Sequence, residues 1–402
     1  MRAPPARARR ACRWWGLALA ATAALVLAGC GAMPSWMPSM PPPPSLGWLV
    51  GSSKKPAPLP EFKATVTVQT AWQASIGKSQ PGFAPAVVGD AVYVASIDGA
   101  VARLEVGTGR SVWRIATGKP LSAGVGADAT LVVVGTDKGD VLAFDTDGKP
   151  RWQTRISSEG VSPPDVAEGI VAIWSGDGRI YGLNAADGTR KWVYQRVNPP
   201  LTVRNYAGGI VSRGGLFTGT PGGKLLALDH ATGNVGWEAS VATPKGATEL
   251  ERITDITSLP ILQERQVCAV AYQGRVACFD ANRGTLIWSR DISSLAGIAG
   301  DSRHVYVTDD KGDVHALDRS TGASIWRQDK LAKRQVGGPV IVGDQLGVVD
   351  VEGYLHLLDR SEGTLVGRLA TDGSAATAQP VAVGERALWQ SQAGNVFVVG
   401  TR

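Results

Sequence analysis

The residues that could carry acid–base or metal chemistry are dispersed along this 402-residue chain. It has no Gly-x-Ser-x-Gly nucleophile turn, no Gly-x-x-x-x-Gly-Lys-Ser/Thr phosphate loop and no His-Glu-x-x-His metal motif. The histidines stand singly, three of them on or beside predicted strands, so each is expected to be a strand or turn residue and not a metal ligand. They are His230, His304, His315 and His356. The sequence therefore predicts no catalytic, cofactor-binding or metal site.

Carboxylates do recur, but they follow a structural period. An acidic or amide side chain stands six residues after a turn glycine in seven of eight repeated units. Side chains of this kind accept hydrogen bonds from the backbone two residues on, in Asx turns. We therefore expect turn-forming roles, and not general acid or base roles, for Glu105, Asp145, Asn184, Asp229, Asp280, Asp318 and Asp359.

The elements that position these residues form a long repeat. A glycine recurs between two short β-rich runs at separations of 38 to 51 residues, which is typical of a hairpin whose turn needs a positive φ. A second glycine follows in each unit, and in six units a tryptophan stands four residues after it. The pattern predicts an all-β fold, an eight-bladed β-propeller of four-stranded blades with tryptophan packed between blades. The turn glycines are Gly99, Gly139, Gly178, Gly223, Gly274, Gly312, Gly353 and Gly394, and the tryptophans are Trp113, Trp152, Trp192, Trp237, Trp288 and Trp326.

The two ends of the repeat array are each incomplete. The last unit runs out at residues 396–399 without a tryptophan strand, whereas residues 65–76, which include Trp72, precede the first hairpin without a blade of their own. Placing the N-terminal strand in the C-terminal blade completes both and removes exposed sheet edges. The sequence therefore predicts a ring that is closed in this way.

The N-terminus has the organisation of a secretory signal. Five arginines between Arg2 and Arg13 precede an uncharged apolar run over residues 16–28, which is too short to span a bilayer comfortably. The run ends in Leu27-Ala28-Gly29-Cys30, which resembles the lipobox of bacterial lipoproteins. The resemblance implies cleavage before Cys30, diacylation of its thiol and, because Gly31 is not an aspartate, transport to the outer membrane. An ordinary signal peptide with a chance cysteine is the alternative.

We therefore divide the chain into a signal peptide over residues 1–29, a lipidated cysteine and Pro-rich tether over residues 30–60, and a propeller over residues 61–402. Of the 41 Lys and Arg residues, five lie in the signal, which has no acidic residue, and this leaves 36 against 35 Asp and Glu residues. The mature part is thus nearly neutral, which argues against nucleic-acid binding.

Two cysteines, Cys268 and Cys278, fall in the predicted propeller and flank a turn at Gln273-Gly274. An oxidising periplasm would permit a disulfide between them. A two-residue turn, however, would place the two side chains on opposite faces of the hairpin, because side chains alternate along a strand. This geometry favours two buried free thiols, with the disulfide as the alternative.

The repeat of strand, glycine, strand, acidic residue and glycine-to-tryptophan spacing is similar to the pyrroloquinoline-quinone-type (PQQ-type) repeat. Two classes of protein carry that repeat, quinoprotein dehydrogenases and the BamB family of propeller lipoproteins. The lipobox, the mature length and the blade count are similar to those of the BamB family. Within the propeller the resemblance runs from about residue 61 to 402, and it is more specific in segments 247–255 and 350–355. The dehydrogenases resemble one another in a disulfide between adjacent cysteines and in a calcium site, but no two cysteines are adjacent here.

The resemblance implies a scaffold that is not an enzyme and has no cofactor. Such a chain would be lipid-anchored on the periplasmic face of the outer membrane. It would bind the barrel-forming subunit BamA and the other lipoproteins of the β-barrel assembly machinery, and assist insertion of outer-membrane proteins. Unfolded outer-membrane proteins are a further candidate partner through β-augmentation. Two alternatives stay open: a PQQ-dependent dehydrogenase, and a periplasmic propeller that binds a polysaccharide or another envelope protein.

Two overlong repeat units indicate where a partner would bind. The separations of 45 and 51 residues add loop residues near 198–206 and 243–258, and an aliphatic side chain beside an arginine suits a protein interface. In the BamB family a Leu-x-Leu-Arg loop and an Asp-x-Asp segment contact BamA. The resemblance implies the same role for matching residues here, although Thr257 lacks the family's acidic group. Alternatively, the aliphatic residues pack under the loop and the arginine pairs with a turn carboxylate. The matching residues are Leu201, Val203, Arg204, Asp255 and Thr257.

Overall fold

The computed structural model of the protein describes residues 55–203 and 208–402. These residues form strands and turns without a helix, so the described part of the chain has no helix that could span a membrane. The predicted lipidation site Cys30 lies outside the described residues, and so does Arg204 of the first predicted partner loop.

Within the described residues the strands form eight four-stranded antiparallel sheets, as predicted. Blade 1 consists of β2 (Ala86–Val88), β3 (Ala91–Ala95), β4 (Ala100–Glu105) and β5 (Ser111–Ala116). Blade 2 consists of β6 (Leu121–Ala127), β7 (Val132–Thr136), β8 (Asp140–Phe144) and β9 (Pro150–Arg155). Blade 3 consists of β10 (Asp165–Ala167), β11 (Ile170–Trp174), β12 (Arg179–Asn184) and β13 (Arg190–Gln195). Blade 4 consists of β14 (Gly209–Ser212), β15 (Gly215–Thr220), β16 (Lys224–Asp229) and β17 (Val235–Ser240).

The remaining blades continue in the same order. Blade 5 consists of β18 (Ile261–Gln263), β19 (Gln266–Val270), β20 (Val276–Asp280) and β21 (Leu286–Arg290). Blade 6 consists of β22 (Gly297–Gly300), β23 (His304–Thr308), β24 (Val314–Asp318) and β25 (Ser324–Gln328). Blade 7 consists of β26 (Val340–Val342), β27 (Gln345–Val349), β28 (Tyr354–Asp359) and β29 (Leu365–Ala370). Blade 8 consists of β30 (Val381–Val383), β31 (Arg386–Gln390), β32 (Asn395–Thr401) and β1 (Val68–Ser75).

The ring closes through the N-terminal strand. In blade 8, β1 pairs antiparallel with β32, from Val68 opposite Thr401 to Ser75 opposite Asn395. Buried apolar side chains, Val94 of blade 1 and Leu388 of blade 8 among them, fill the space between the last blade and the first. The predicted closure is therefore confirmed.

Tryptophans join neighbouring blades in one repeated way at seven interfaces between described residues. Each indole packs on a turn glycine of the next blade, and its Nε1 donates to a backbone carbonyl there at 2.7–3.0 Å. A Cβ at those glycines would lie 2.4–3.1 Å from the indole, so only glycine fits. The pairs are Trp72/Gly109, Trp113/Gly148, Trp152/Gly188, Trp192/Gly233, Trp237/Gly284, Trp288/Gly322 and Trp326/Gly363.

The interface between blades 7 and 8 departs from this rule. Gly367 stands where the other outer strands carry tryptophan, and a Cβ there would lie 2.7 Å from a methyl carbon of Val68. The backbone N–H groups of Thr65 and Val66 both donate to the carbonyl oxygen of Val366, at 2.9 and 3.0 Å. The entering N-terminal segment thus takes the place of the missing indole.

The expectation of free thiols in blade 5 was wrong. Cys268 and Cys278 lie opposite each other in β19 and β20, are buried, and form a disulfide with an S–S distance of 1.90 Å. The hairpin loop has three residues and not two, because the N–H of Ala271 pairs with the carbonyl of Arg275. The additional loop residue shifts the register of the hairpin by one residue from the predicted one. This shift places Cys278 on the same face as Cys268.

The ring has two faces with different connections. Because each blade is an antiparallel meander, the hairpins between its second and third strands share one end with the links from one blade to the next. We call this end the connection face. Residues at the start of the described chain also reach it: Arg334, in the link from β25 to β26, donates to the carbonyl of Ala57, and Arg368 donates to that of Pro60 at 2.7 Å.

Candidate partner-binding site

The two predicted partner loops are neighbouring links on the connection face. The first joins β13 to β14 over residues 196–208, of which 204–207 lie outside the described residues. The second joins β17 to β18 over residues 241–260. They flank blade 4, so the longest links in the repeat lie side by side, as their places in the sequence require.

A single carboxylate holds these loops together. Oδ2 of Asp255 accepts a hydrogen bond from the N–H of Val203 at 2.6 Å, and Oδ1 accepts one from the N–H of Gly222, in the hairpin turn of blade 4, at 2.9 Å. Asp255 has 0% of its surface exposed. Burial raises the pKa of its carboxyl group, while the two backbone N–H groups act against this rise. Asp255 therefore fixes the position of Val203 in the first loop and offers no surface to a partner.

The other predicted residues divide between loop surface and central cavity. Leu201 is 43% exposed and Val203 is half-buried, so of these two predicted residues Leu201 faces outward. Thr257 is half-buried on the wall of a central cavity of about 480 Å³, with its Oγ1 3.4 Å from the carbonyl oxygen of Leu295. The structure thus brings Val203 and Asp255 into contact but places Thr257 elsewhere.

Sequence reasoning missed other exposed apolar residues around these loops. Val197 is 92% exposed and Leu250 is 67% exposed, one in each partner loop. Leu259 and Leu295 are also exposed, in the links that lead into β18 and β22. Exposed aliphatic side chains that gather on one face are typical of protein interaction surfaces. The signal in the sequence was an apolar residue between charged ones, such as Leu250 between Glu249 and Glu251.

A cleft lies beneath the first loop. It has a volume of about 280 Å³ and is lined by Trp174, Tyr194, Arg196 and Val203, among others. The guanidinium of Arg196 is paired with Glu238 at 2.9 Å, so its charge is already compensated. The cleft can therefore accept an apolar or aromatic side chain better than an anion.

Comparison with known proteins identifies the family of this chain. A family model described as outer membrane protein assembly factor BamB matches residues 97–328 and 311–400. A protein of that name from Nitrosomonas eutropha is 47% identical over 279 residues, which cover 69% of this chain and 68% of the relative. The chain belongs to the BamB family. A BamB of Bordetella pertussis is 40% identical over 338 residues and covers 84% of each chain.

Solved structures agree with this family at the level of the fold. The crystal structure of BamB from Moraxella catarrhalis superposes with a TM-score of 0.77 at 26% identity, covering 83% of this chain and all of that one. A quinohemoprotein alcohol dehydrogenase from Comamonas testosteroni has a TM-score of 0.64 at 14% identity, covering 83% of this chain and 76% of that one. This second likeness shows a shared propeller fold alone. The predicted membership of the BamB family is confirmed.

Proposed function

We propose that this chain is a non-enzymatic scaffold in outer-membrane protein assembly. Its relatives carry the name outer membrane protein assembly factor, and the exposed aliphatic loop fixed by Asp255 gives the chain a surface suited to that work. The buried carboxylate of Asp255 binds the N–H groups of Val203 and Gly222, and it thereby holds Val203 in place before a partner arrives. Such pre-organisation reduces the entropy that binding must overcome.

In this proposal the partner is BamA, and it binds the connection face through Leu201, Val203 and Arg204. Leu201 supplies an exposed apolar contact above the cleft. The guanidinium of Arg204 supplies bidentate hydrogen bonds to a carboxylate of the partner. Asp255 acts through the loop that it holds, and Thr257 borders the neighbouring cavity. Other lipoproteins of the machinery, and unfolded outer-membrane proteins, would use the rest of the surface.

The proposed membrane anchor fits the same arrangement. With residues 1–29 cleaved and Cys30 lipidated, residues 30–60 would connect the lipid to the propeller of residues 61–402. The end of that tether is held on the connection face, where Arg368 donates to the carbonyl of Pro60 and its guanidinium lies 4.8 Å from the ring centre of Phe62. A tether that leaves from this face would direct the partner loops toward proteins of the outer membrane.

The experiment is a charge reversal in the first loop with a matched control. Arg204→Glu should weaken BamA binding by about 2 to 5 kcal/mol, roughly thirtyfold or more in Kd, because repulsion replaces a charge-assisted pair. Arg213→Glu is the control, since Arg213 is exposed in the turn between β14 and β15, on the opposite face. Titration calorimetry measures binding, and circular dichroism should show both variants melting like the parent. Unchanged binding in Arg204→Glu would refute the loop assignment.

A second variant separates positioning from contact. Asp255→Ala removes the acceptor of two backbone N–H groups, and we expect faster hydrogen exchange at the amides of Val203 and Gly222 together with weaker BamA binding. Normal BamA affinity despite faster exchange would show that the loop conformation is irrelevant to binding. Purified protein that bound pyrroloquinoline quinone and oxidised alcohols in a dye-linked assay would overturn the scaffold proposal as a whole.

A further inference from the structure

The hairpin turn of blade 6 gathers three side chains with metal-binding atoms. One carboxylate oxygen from each of Asp309 and Asp313 and one ring nitrogen of His315 lie within 4.8 Å of one another. Nε2 of His315 is 3.0 Å from Oδ2 of Asp309. All three side chains are largely buried, Asp313 most of all at 3% exposure. The cluster lies on the connection face, in a blade to which neither partner loop is directly connected along the chain.

Asp313 leaves one buried oxygen without a partner. Its Oδ2 accepts a hydrogen bond from Nε of Arg327 at 3.0 Å. Its Oδ1 is shielded from solvent and has no hydrogen-bond partner among the described residues. A buried carboxylate oxygen without a hydrogen-bond partner costs free energy comparable with a lost hydrogen bond, even where the other oxygen of the group is paired. A cation bound between the three side chains would remove that cost.

The equivalent turn of blade 7 shows how the same framework is neutralised. Oδ1 of Asp309 accepts the N–H groups of residues 311 and 313 at 2.9 Å, and Oδ1 of Asp350 accepts those of residues 352 and 354 at 3.0 Å. His356 contacts Oδ2 of Asp350 at 2.8 Å, as His315 contacts that of Asp309. The two turns are therefore structural equivalents within one chain.

The two turns differ in whether an arginine binds the turn aspartate. In blade 7 the buried Arg334 donates from Nε to Oδ2 of Asp350 at 2.7 Å. Ser293 occupies the equivalent position in blade 6, because both residues accept a hydrogen bond from the residue that follows the turn aspartate. The carbonyl of Arg334 accepts the N–H of Val351 at 3.2 Å, and the carbonyl of Ser293 accepts the N–H of Asp310 at 3.1 Å. Blade 6 thus lacks a counterpart of Arg334, and it has an additional carboxylate, Asp313, where blade 7 has a tyrosine.

We propose that Asp309, Asp313 and His315 form a binding site for a divalent transition-metal ion of the Zn²⁺ class. An imidazole with two carboxylates suits Zn²⁺, whereas Ca²⁺ and Mg²⁺ prefer oxygen ligands alone. The ion takes the electrostatic role that Arg334 has in blade 7, and Arg327 stays on the second oxygen of Asp313. Because such a site exists only in the folded blade, the bound ion stabilises the hairpin of β23 and β24 on the connection face.

The test is a Zn²⁺ titration of the purified lipoprotein after treatment with a chelator and removal of that chelator. Calorimetry should show one site, and Asp313→Asn or His315→Gln should raise its Kd at least about tenfold, within the range that changes around metal sites cause. Asp310→Asn is the matched control: it removes a carboxylate from the same turn, one that instead accepts from the N–H of Leu295 at 2.8 Å, and it should leave the Kd unchanged.

A gain-of-charge variant tests the comparison between blades without removing a ligand. Ser293→Arg places the side chain of blade 7 in blade 6, and it should abolish Zn²⁺ binding while circular dichroism shows a folded propeller. X-ray absorption at the zinc edge of the parent should show nitrogen and oxygen ligands and no sulfur. If the parent binds no Zn²⁺, if its zinc ligands include sulfur, or if Asp313→Asn and His315→Gln bind as the parent does, the site does not exist.

Discussion

Replacing Trp72 with alanine should destabilise the propeller at the strand that closes its ring. The indole is buried, packs on Gly109 of blade 1 and donates a hydrogen bond to the carbonyl of Val106 at 2.8 Å. Removing a buried tryptophan side chain costs about 3 to 5 kcal/mol, of which a hydrogen bond accounts for about 1 kcal/mol. Trp72→Phe keeps an aromatic ring on Gly109 and should therefore cost less, chiefly through the unpaired carbonyl of Val106.

The matched control is Trp152→Ala, which removes the same contacts between blades 2 and 3. In urea titrations followed by circular dichroism, both alanine variants should lose similar free energy of unfolding. They should differ in local opening, because a hairpin connects β9 to the rest of its blade, whereas no hairpin connects β1 to β32. Hydrogen exchange in β32 should accelerate in Trp72→Ala, while exchange in β8 should not accelerate in Trp152→Ala.

Two results would refute this reasoning. A loss below about 0.5 kcal/mol in Trp72→Ala, the size expected for an ordinary surface change, would mean that the indole does not hold the seam. Equal protection of β32 in the parent and in Trp72→Ala would mean that β1 is bound to blade 8 independently of blade 1.

Three further predictions concern other parts of the chain. Replacing Cys268 and Cys278 with alanine should lower the free energy of unfolding by up to about 3 kcal/mol, the chain-entropy value for a loop closed by residues 10 apart, and an unchanged urea midpoint would contradict it. Burial lowers the pKa of His356 below its ordinary 6.5. The unfolded chain therefore binds a proton more readily than the folded chain, and the free energy of unfolding should fall as the pH falls below about 6.5. His356→Gln should flatten that slope between pH 7.5 and 5.5, and an unaltered slope would exclude this histidine as its cause. Cys30→Ser should release a folded propeller from outer membranes, and retention after a high-salt wash in a strain without BamA would contradict lipid anchoring.

The repeat made much of the fold predictable from the sequence. A tryptophan of one blade and a turn glycine of the next make the same contact at seven interfaces of the described chain, so one physical explanation covers most of the ring. Even Trp72, the tryptophan outside the array, was assigned correctly, because a blade without its outer strand requires one. Side-chain direction was less predictable, since one additional loop residue turned Cys278 toward Cys268.

The candidate site was predictable in place but not in mechanism. Loop length located the two links beside blade 4, yet nothing in the sequence showed that Asp255 is buried, because its donors, the amides of Val203 and Gly222, lie 52 and 33 residues away. The cluster at Asp309 and His315 was missed for a different reason. Each residue was considered singly, although the same Asp-to-His spacing of six residues recurs at Asp350 and His356.

The residues proposed to bind a partner or a metal ion lie where the chain departs from the repeat. A blade that keeps every repeated contact has no group to spare, since its glycine, indole and turn carboxylate are all used in packing or hydrogen bonding. Where the tryptophan is lost at Gly367, the entering N-terminal segment takes its place. Where the links lengthen, aliphatic residues such as Leu250 become exposed. Where Ser293 replaces the arginine of the next blade, Oδ1 of Asp313 has no hydrogen-bond partner among the described residues. Comparing each blade with its neighbour therefore locates candidate functional residues that a search of the chain for catalytic motifs does not find.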